Sequence, residues 1–165
     1  MQIANSLSVL IQQQISSHEL EHNTGSADST YRSSCPKGKT NKMANRIMAL
    51  IVDDNLLNQR IHSTLLNKHG IETEVMGNGK EAVDAHFSGK KFDLILMDRD
   101  MPVMNGIQAT RKLREMGVRS IIVGVSSHSS EQVKEFMEAG LNDYQEKPLT
   151  LTKLTSILQR WNLSL

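Results

Sequence analysis

Three aspartates, a serine and a lysine follow the ends of short apolar runs in this 165-residue chain. Asp53-Asp54 closes the run from Ile47 to Val52, Asp98 closes Phe92 to Met97, Ser126-Ser127 follows Ser120 to Val125, and Lys147-Pro148 follows Asp143 to Glu146. If the runs are parallel strands, these residues share the edge beyond the strands' carboxyl ends, where open parallel sheets bind ligands. Clustered carboxylates repel one another unless a positive charge sits among them, and a hard divalent cation with oxygen ligands suits that place. Mg²⁺ fits, because it takes one or two carboxylates, keeps several waters and completes its shell with phosphate oxygens. A phosphoryl ligand is therefore implied as well. Lys147 can neutralise one phosphoryl oxygen as a point charge, and the Ser126 hydroxyl can hydrogen-bond another. The remaining part is a nucleophile, and a carboxylate attacking phosphorus gives an acyl phosphate.

Each of these residues also has a plainer reading. An Asp pair often marks a helix N-terminus, where acids favour the local dipole. Ser126 alone can be a cap, and Tyr144 alone can be a core aromatic. The plainer readings lose ground for the acids and the lysine because all of them end strands of one sheet. Pro148 adds to this, since it forces Lys147 out of the helical region.

The elements that must position these groups alternate short apolar runs with stretches of helical period, the pattern of a parallel sheet covered by helices. The strands are expected at Ile47 to Val52, Ile71 to Met76, Phe92 to Met97, Ser120 to Val125 and, more weakly, Asp143 to Glu146. The first helix is expected along Leu57, Ile61 and Leu65, with Asn55 capping its start and Gly70 its end. Later helices follow from Ala82, Val83 and Phe87, from Ile107 and Leu113, from Val133, Phe136 and Met137, and from Leu151, Leu154, Ile157, Leu158 and Trp161. The expected fold is a flavodoxin-like (βα)₅ doubly wound α/β domain over residues 47–162, with strand order 2-1-3-4-5. The stretch from Asn23 to Lys42 offers only Tyr31 and Cys35 to a core, Leu10, Ile11 and Ile15 before it mark at most a short amphipathic helix, and the first 42 residues read as a disordered N-terminal tail. Nothing after Trp161 is long enough for an output domain, so a stand-alone domain is expected.

The balance of 19 basic against 18 acidic residues calls for neither nucleic acid nor an anionic membrane. No apolar run approaches the roughly 20 residues of a membrane span, and no secretory signal opens the chain. A lone Cys35 precludes an internal disulfide, which suits a reducing compartment. The expected location is cytoplasmic, with the nucleus as a second compartment.

The run Ile51-Val52-Asp53-Asp54-Asn55, the stretch from Leu94 through Asp98-Arg99-Asp100-Met101-Pro102 to Asn105-Gly106, the triplet Val125-Ser126-Ser127, and Tyr144 with Lys147-Pro148 resemble the response-regulator receiver domain of two-component phosphorelays. The Leu94 to Asp98 run, Ile121 to Ser126, Phe136 to Asn142 and Glu146 to Thr150 are most similar to plant type-C response regulators. The resemblance implies that Asp98 is the phosphoacceptor and Lys147 the phosphoryl clamp. It further implies Asp54 as a direct Mg²⁺ ligand, Asp53 as a ligand through water, and the Asp100 backbone carbonyl on the metal. Ser126 would be the switch hydroxyl and Tyr144 the coupled aromatic. The implied donor is a histidine-containing phosphotransfer protein, loaded by an upstream hybrid histidine kinase and docking near Asn55, Leu56, Leu57 and Lys147-Pro148. The protein itself would be a monomer. Asp100 and His128 flank the path of a hydrolytic water and are expected to set the lifetime of the phosphoryl group. The segment from Ser126 to Gly140 is slightly shorter than in the receivers it resembles.

Two other functions fit parts of the pattern. Asp98-Arg99-Asp100 resembles the aspartate pair of haloacid-dehalogenase-type phosphatases, although that pair follows a first strand rather than a third. A pseudo-receiver that binds partners without phosphorylation is the other alternative, against which the complete acid, hydroxyl and lysine set argues. The His18-Glu19-Leu20-Glu21-His22 string has zinc-protease spacing but lacks an evident third ligand. Gly38-Lys39-Thr40 lacks the first glycine of a P-loop.

Overall fold

A computed structural model of the chain describes residues 46–127 and 130–163. The expected tail, the His18 to His22 string, Gly38-Lys39-Thr40, Cys35 and His128 lie outside the described residues. Within them five strands alternate with five helices: β1 Met48–Val52, α1 Leu56–Asn67, β2 Glu72–Met76, α2 Gly79–Phe87, β3 Leu94–Met97, α3 Gly106–Glu115, β4 Ile121–Ser126, α4 Ser130–Glu138, β5 Asp143–Glu146 and α5 Leu151–Arg160. All strand pairs are parallel, in the order β2-β1-β3-β4-β5. The expected flavodoxin-like α/β architecture is the one observed.

Strand polarity alternates across two cores. Leu50, Val52, Ile95, Met97 and Ile122 face one core with Ala82, Ala85, Ile107, Leu113 and Phe136, so α2, α3 and α4 cover that side. Ala49, Ile51, Leu94, Leu96, Val123 and Val125 face the other with Leu66, Leu154, Ile157 and Leu158, so α1 and α5 cover the opposite side. Both faces of β1, β3 and β4 are thus buried, which is why these strands read as continuous apolar runs rather than alternating ones.

The ends of α1 are fixed by the residues expected to fix them, with one refinement, and α3 gains a cap that the sequence reading did not name. The Asn55 side chain accepts hydrogen bonds from the Leu57 and Asn58 N–H groups, capping α1. Asn105 and Gln108 form a reciprocal capping box at α3. At the far end of α1 the C-cap is Lys68, and Gly70 follows at φ 73°. The Ile71 N–H then bonds back to the Leu66 carbonyl, so the sheet ladder starts at Glu72 rather than Ile71.

The buried faces of two helices differ from expectation. Leu57 is 66% exposed and Ile61 43%, whereas His62 and Leu66 are the buried residues of α1. Phe87 is likewise 84% exposed, and Ala82 and Ala85 carry the contact of α2 instead. An apolar stripe shows which residues share a helix face but not which way the face points. Here the Leu57 and Ile61 part of the α1 stripe points outward beside the site, while Leu65 is half-buried against the second core.

Two close approaches bring the elements to the working edge. A Cβ on Gly106 would sit 2.0 Å from the Asp98 carbonyl oxygen, so α3 starts directly against the backbone of the phosphoacceptor candidate. A Cβ on Gly124 would meet Leu141 at 2.6 Å and Phe136 at 2.9 Å, where α4 lies on β4. Gly106→Ala is therefore expected to destabilise the domain by about 1–3 kcal/mol through overpacking. Gly77→Ala, with nothing nearer than 3.9 Å to its Cβ, should stay close to wild type. Denaturant unfolding of both variants tests this, and equal midpoints would contradict the contact.

Candidate functional site

The site is built at the carboxyl ends of β1, β3, β4 and β5. Register pairs Val52 with Met97, Met97 with Gly124, and Ser126 with Glu146, so the residues that follow each strand come together. Asp53 hangs its N–H on the Met76 carbonyl and Asp98 its N–H on the Val52 carbonyl, which ties the backbone beneath both acids to neighbouring strands. The Lys147 N–H donates to the Ser126 carbonyl, carrying the lysine from β5 back over β4. The Lys147–Pro148 peptide bond is cis.

The Lys147 ammonium lies 2.9 Å from Asp53 Oδ2 and 3.1 Å from Asp98 Oδ2. Asp53, Asp98 and Ser126 are buried, while Asp54 is exposed beside them. One carboxylate oxygen from each of Asp53, Asp54 and Asp98 lies within 4.8 Å of the others. Three carboxylates against one ammonium leave an excess of two negative charges, the charge of a single divalent cation. An all-oxygen donor set with that excess fits Mg²⁺ and not a soft metal.

Burial pushes the Asp98 carboxyl above the ordinary carboxylate range; Lys147 and the Arg99 N–H draw it back only in part, and Asp53 adds to the rise. For Lys147, burial opposes the ammonium, yet hydrogen bonds and charge from Asp53 and Asp98 outweigh it and hold the group above the usual lysine value. A charged Lys147 is thus secured at any physiological pH. Asp98 has spare capacity as an acceptor: Oδ1 takes the Arg99 N–H at 2.8 Å and Oδ2 faces Lys147.

Asp53 is held differently. Its Oδ1 accepts the Asn55 N–H at 2.9 Å, and the Asn58 amide spans Oδ1 and Oδ2 at 3.2 and 3.1 Å. The Gln59 amide grips its backbone carbonyl at 2.6 Å. Sequence reasoning passed over Asn58 and Gln59, whose only signal is a polar pair inside the first turn of α1. It also missed His62, which is buried one turn further on with Nδ1 lacking a hydrogen-bond partner.

The other expected residues are placed as follows. The Tyr144 hydroxyl donates to the Ser126 carbonyl at 2.9 Å, with the ring half-buried. The Asp100 carboxylate is paired with the Arg99 guanidinium at 3.2 Å and stands outside the group of three acids. Leu56 and Leu57 are exposed next to Asn55, and Pro148 is exposed beside Lys147. Among the described residues no helix is long and apolar enough to cross a membrane.

Comparison with known proteins agrees with this geometry. Residues 49–159 match the sequence profile of the response regulator receiver domain. The chain is 59% identical over 123 residues to two-component response regulator 24 of Arabidopsis thaliana, covering 74% of this chain and 88% of that protein. Among solved structures it is similar to the receiver domain of the sensor histidine kinase PA1611 of Pseudomonas aeruginosa, which has a magnesium ion coordinated in its active-site cleft. That match has 34% identity and a TM-score of 0.65, and covers 72% of this chain and 99% of the other. It is also similar to a chain of the Saccharomyces cerevisiae co-crystal between the histidine phosphotransfer protein Ypd1 and the receiver domain of Ssk1. There the identity is 32% and the TM-score 0.66, with 72% and 90% of the two chains covered.

Two stability predictions follow from the charges. Asp98 has a folded pKa above its unfolded value, so its ionisation opposes folding above that folded pKa and the penalty fades as pH falls through it. Asp98→Asn should therefore melt roughly 2–5 °C higher than wild type at neutral pH in cation-free buffer, with the gap closing on acidification. A lower melting point at neutral pH would contradict this. For His62, burial holds the imidazole below its ordinary value, Asp53 and Lys147 acting in opposite senses. The folded domain keeps it neutral, so stability is full above about pH 6.5 and is lost as the unfolded chain takes up the proton below that. His62→Leu should flatten the loss of melting temperature just below pH 6.5, as read by calorimetry.

Proposed function

This chain belongs to the response regulator receiver domain family, and from that premise we propose that it accepts a phosphoryl group on Asp98 from a histidine-containing phosphotransfer protein and later loses it by hydrolysis. The observation that carries the reading is the Lys147 ammonium standing 3.1 Å from Asp98 and 2.9 Å from Asp53 at one sheet edge. An Asp98 carboxylate oxygen attacks phosphorus, the oxygen–phosphorus bond forms, and the nitrogen–phosphorus bond to the donor imidazole breaks. The imidazole leaves with a proton from solvent. Lys147 already faces the accepting carboxylate and neutralises charge that builds on the phosphoryl oxygens. Ser126, buried at the end of β4, supplies a hydroxyl to the same group. Mg²⁺ held by Asp53, Asp54, Asp98 and the Asp100 carbonyl would supply further charge neutralisation and orientation. Water then attacks phosphorus, releasing inorganic phosphate and regenerating Asp98.

Because no side chain has to be deprotonated to attack, the residues contribute mainly position and charge. Arg99 and Asp100, the two residues after the reacting carboxylate, form an ion pair, and this supports Asp100 as a modulator of the hydrolytic water; His128 is assigned the same role from its place two residues after Ser126. The Tyr144 hydroxyl bonded to the Ser126 carbonyl gives a route by which movement of Ser126 on phosphorylation reaches the β4–β5 surface.

The docking surface for the donor is the outward stripe of α1. Leu56, Leu57 and Ile61 are 70%, 66% and 43% exposed, a large apolar patch beside the acidic cluster. The Ypd1 and Ssk1 co-crystal supports a histidine phosphotransfer protein as the partner for a domain of this fold.

Incubation with a phosphorylated phosphotransfer protein and Mg²⁺ should add one labile phosphoryl mass, absent in Asp98→Asn and after chelation. Failure of the native protein to gain that mass would sink the proposal. Leu57→Glu should slow transfer by at least roughly ten-fold without changing the melting temperature, because the side chain is mostly in solvent.

A further inference from the structure

The Asp53 carboxylate has no acceptor site left. Oδ1 takes the Asn55 N–H and Asn58, and Oδ2 takes Asn58 and Lys147. Four contacts fill the roughly four lone-pair positions of an ionised carboxylate. Asp98, by contrast, has two protein donors, and Asp54 has no hydrogen bond or ion pair among the described residues. A cation entering between the three acids, or a water bound to it, therefore has to displace a donor from Asp53.

The three donors differ in how readily they yield. The Asn55 N–H is fixed by the entry of the chain into α1, whose first turn the Asn55 side chain caps. Lys147 makes charged hydrogen bonds to two acids, and such bonds are about twice as strong as neutral ones. Asn58 is neutral, splits its amide between both oxygens at 3.1 and 3.2 Å, and is half-buried, so water can satisfy it once released. The Asp53 backbone does not depend on Asn58, because Gln59 holds its carbonyl at 2.6 Å.

We propose that Asn58 is a positioning residue that plugs Asp53 in the cation-free domain and thereby sets the concentration at which a divalent cation enters. The proposal rests on the reading that the acid cluster takes Mg²⁺. It assigns Asn58 two opposed effects. A buried carboxylate is costly without donors, so Asn58 stabilises the cation-free fold. The same bonds must be broken for cation entry, so Asn58 weakens cation binding. A residue that merely kept the site in shape would support both quantities together. The carboxamide suits this work because it is ambidentate: the NH₂ faces the bare carboxylate, and the carbonyl can accept from a cation-bound water once the amide turns.

The test is Mg²⁺ titration by calorimetry on the full chain, paired with melting in chelator. Asn58→Ala should bind Mg²⁺ about three- to ten-fold more tightly than wild type while melting lower when cation-free. Asn58→Ser, too short to reach both oxygens, should behave the same way and serves if the alanine variant folds poorly. Asn58→Asp should shift both quantities further in the same opposed directions, since it adds a carboxylate against Asp53. Asp54→Asn should lose Mg²⁺ binding and identifies the site being filled. If wild type binds Mg²⁺ and the alanine and serine variants bind equally or more weakly, the plug is overturned and the proposed function stands. If neither wild type nor the variants bind Mg²⁺, the plug and the cation reading both fall. Binding by the variants alone is the strongest form of the expected result.

Discussion

One ammonium between two buried carboxylates is the constraint on which the rest of the site depends. Asp53 and Asp98 end adjacent parallel strands and cannot avoid each other. In a low-dielectric edge two such charges are tolerable only with a cation between them. Lys147 fills that role in the cation-free domain, reaching from the far strand of the sheet. Its position makes the site ready for a dianionic group, because the same charge that offsets the acids can turn to phosphoryl oxygens. The cost remains in part, since burial keeps the Asp98 carboxyl above its ordinary range.

The fold brings that ammonium into place through backbone ties rather than through the side chain alone. Parallel register puts Ser126 opposite Glu146, and the Lys147 N–H then bonds to the Ser126 carbonyl. Tyr144 takes the same carbonyl with its hydroxyl. Ser126, Tyr144 and Lys147 are therefore one hydrogen-bonded unit, so displacement of one is felt by the others. On the other flank, Gly106 lets α3 start against the Asp98 carbonyl, so the backbone beneath that carboxylate is closely packed. Buried acids on a packed sheet and exposed apolar residues on α1 divide the proposed function: the acids would take the phosphoryl group and the apolar residues would meet its donor.

The α1 helix serves both parts because its two faces carry different chemistry. Inward, Asn58 and Gln59 hold Asp53, and His62 and Leu66 are buried behind them. Outward, Leu56, Leu57 and Ile61 face solvent. The first turns of α1, with polar residues facing in and apolar residues facing out, reverse the usual arrangement, and each half of the reversal has a local reason. The inward polar groups satisfy a buried carboxylate, and the outward apolar groups form a patch at the mouth of the site.

From the sequence alone came the strand and helix order, the strand-end positions of Asp53, Asp98, Ser126 and Lys147, and the cap at Asn55. These were legible because doubly covered strands are apolar throughout and because strand ends in parallel sheets share one edge. The tertiary structure decided what depends on orientation and on distances across the chain. Periodicity placed Leu57, Ile61 and Leu65 on one face, but only packing against β1 and α5 left Leu57 and Ile61 in solvent with Leu65 half-buried, and Phe87 on the solvent side of α2. The donors around Asp53 were equally hidden, since Asn58 in a sequence is a polar helix residue like any other. It becomes part of the site only when the turn after β1 aims the first turn of α1 back at the carboxylate. Lys147 lies 94 residues from Asp53 in the chain and 2.9 Å from it in space, a separation that the sheet alone closes.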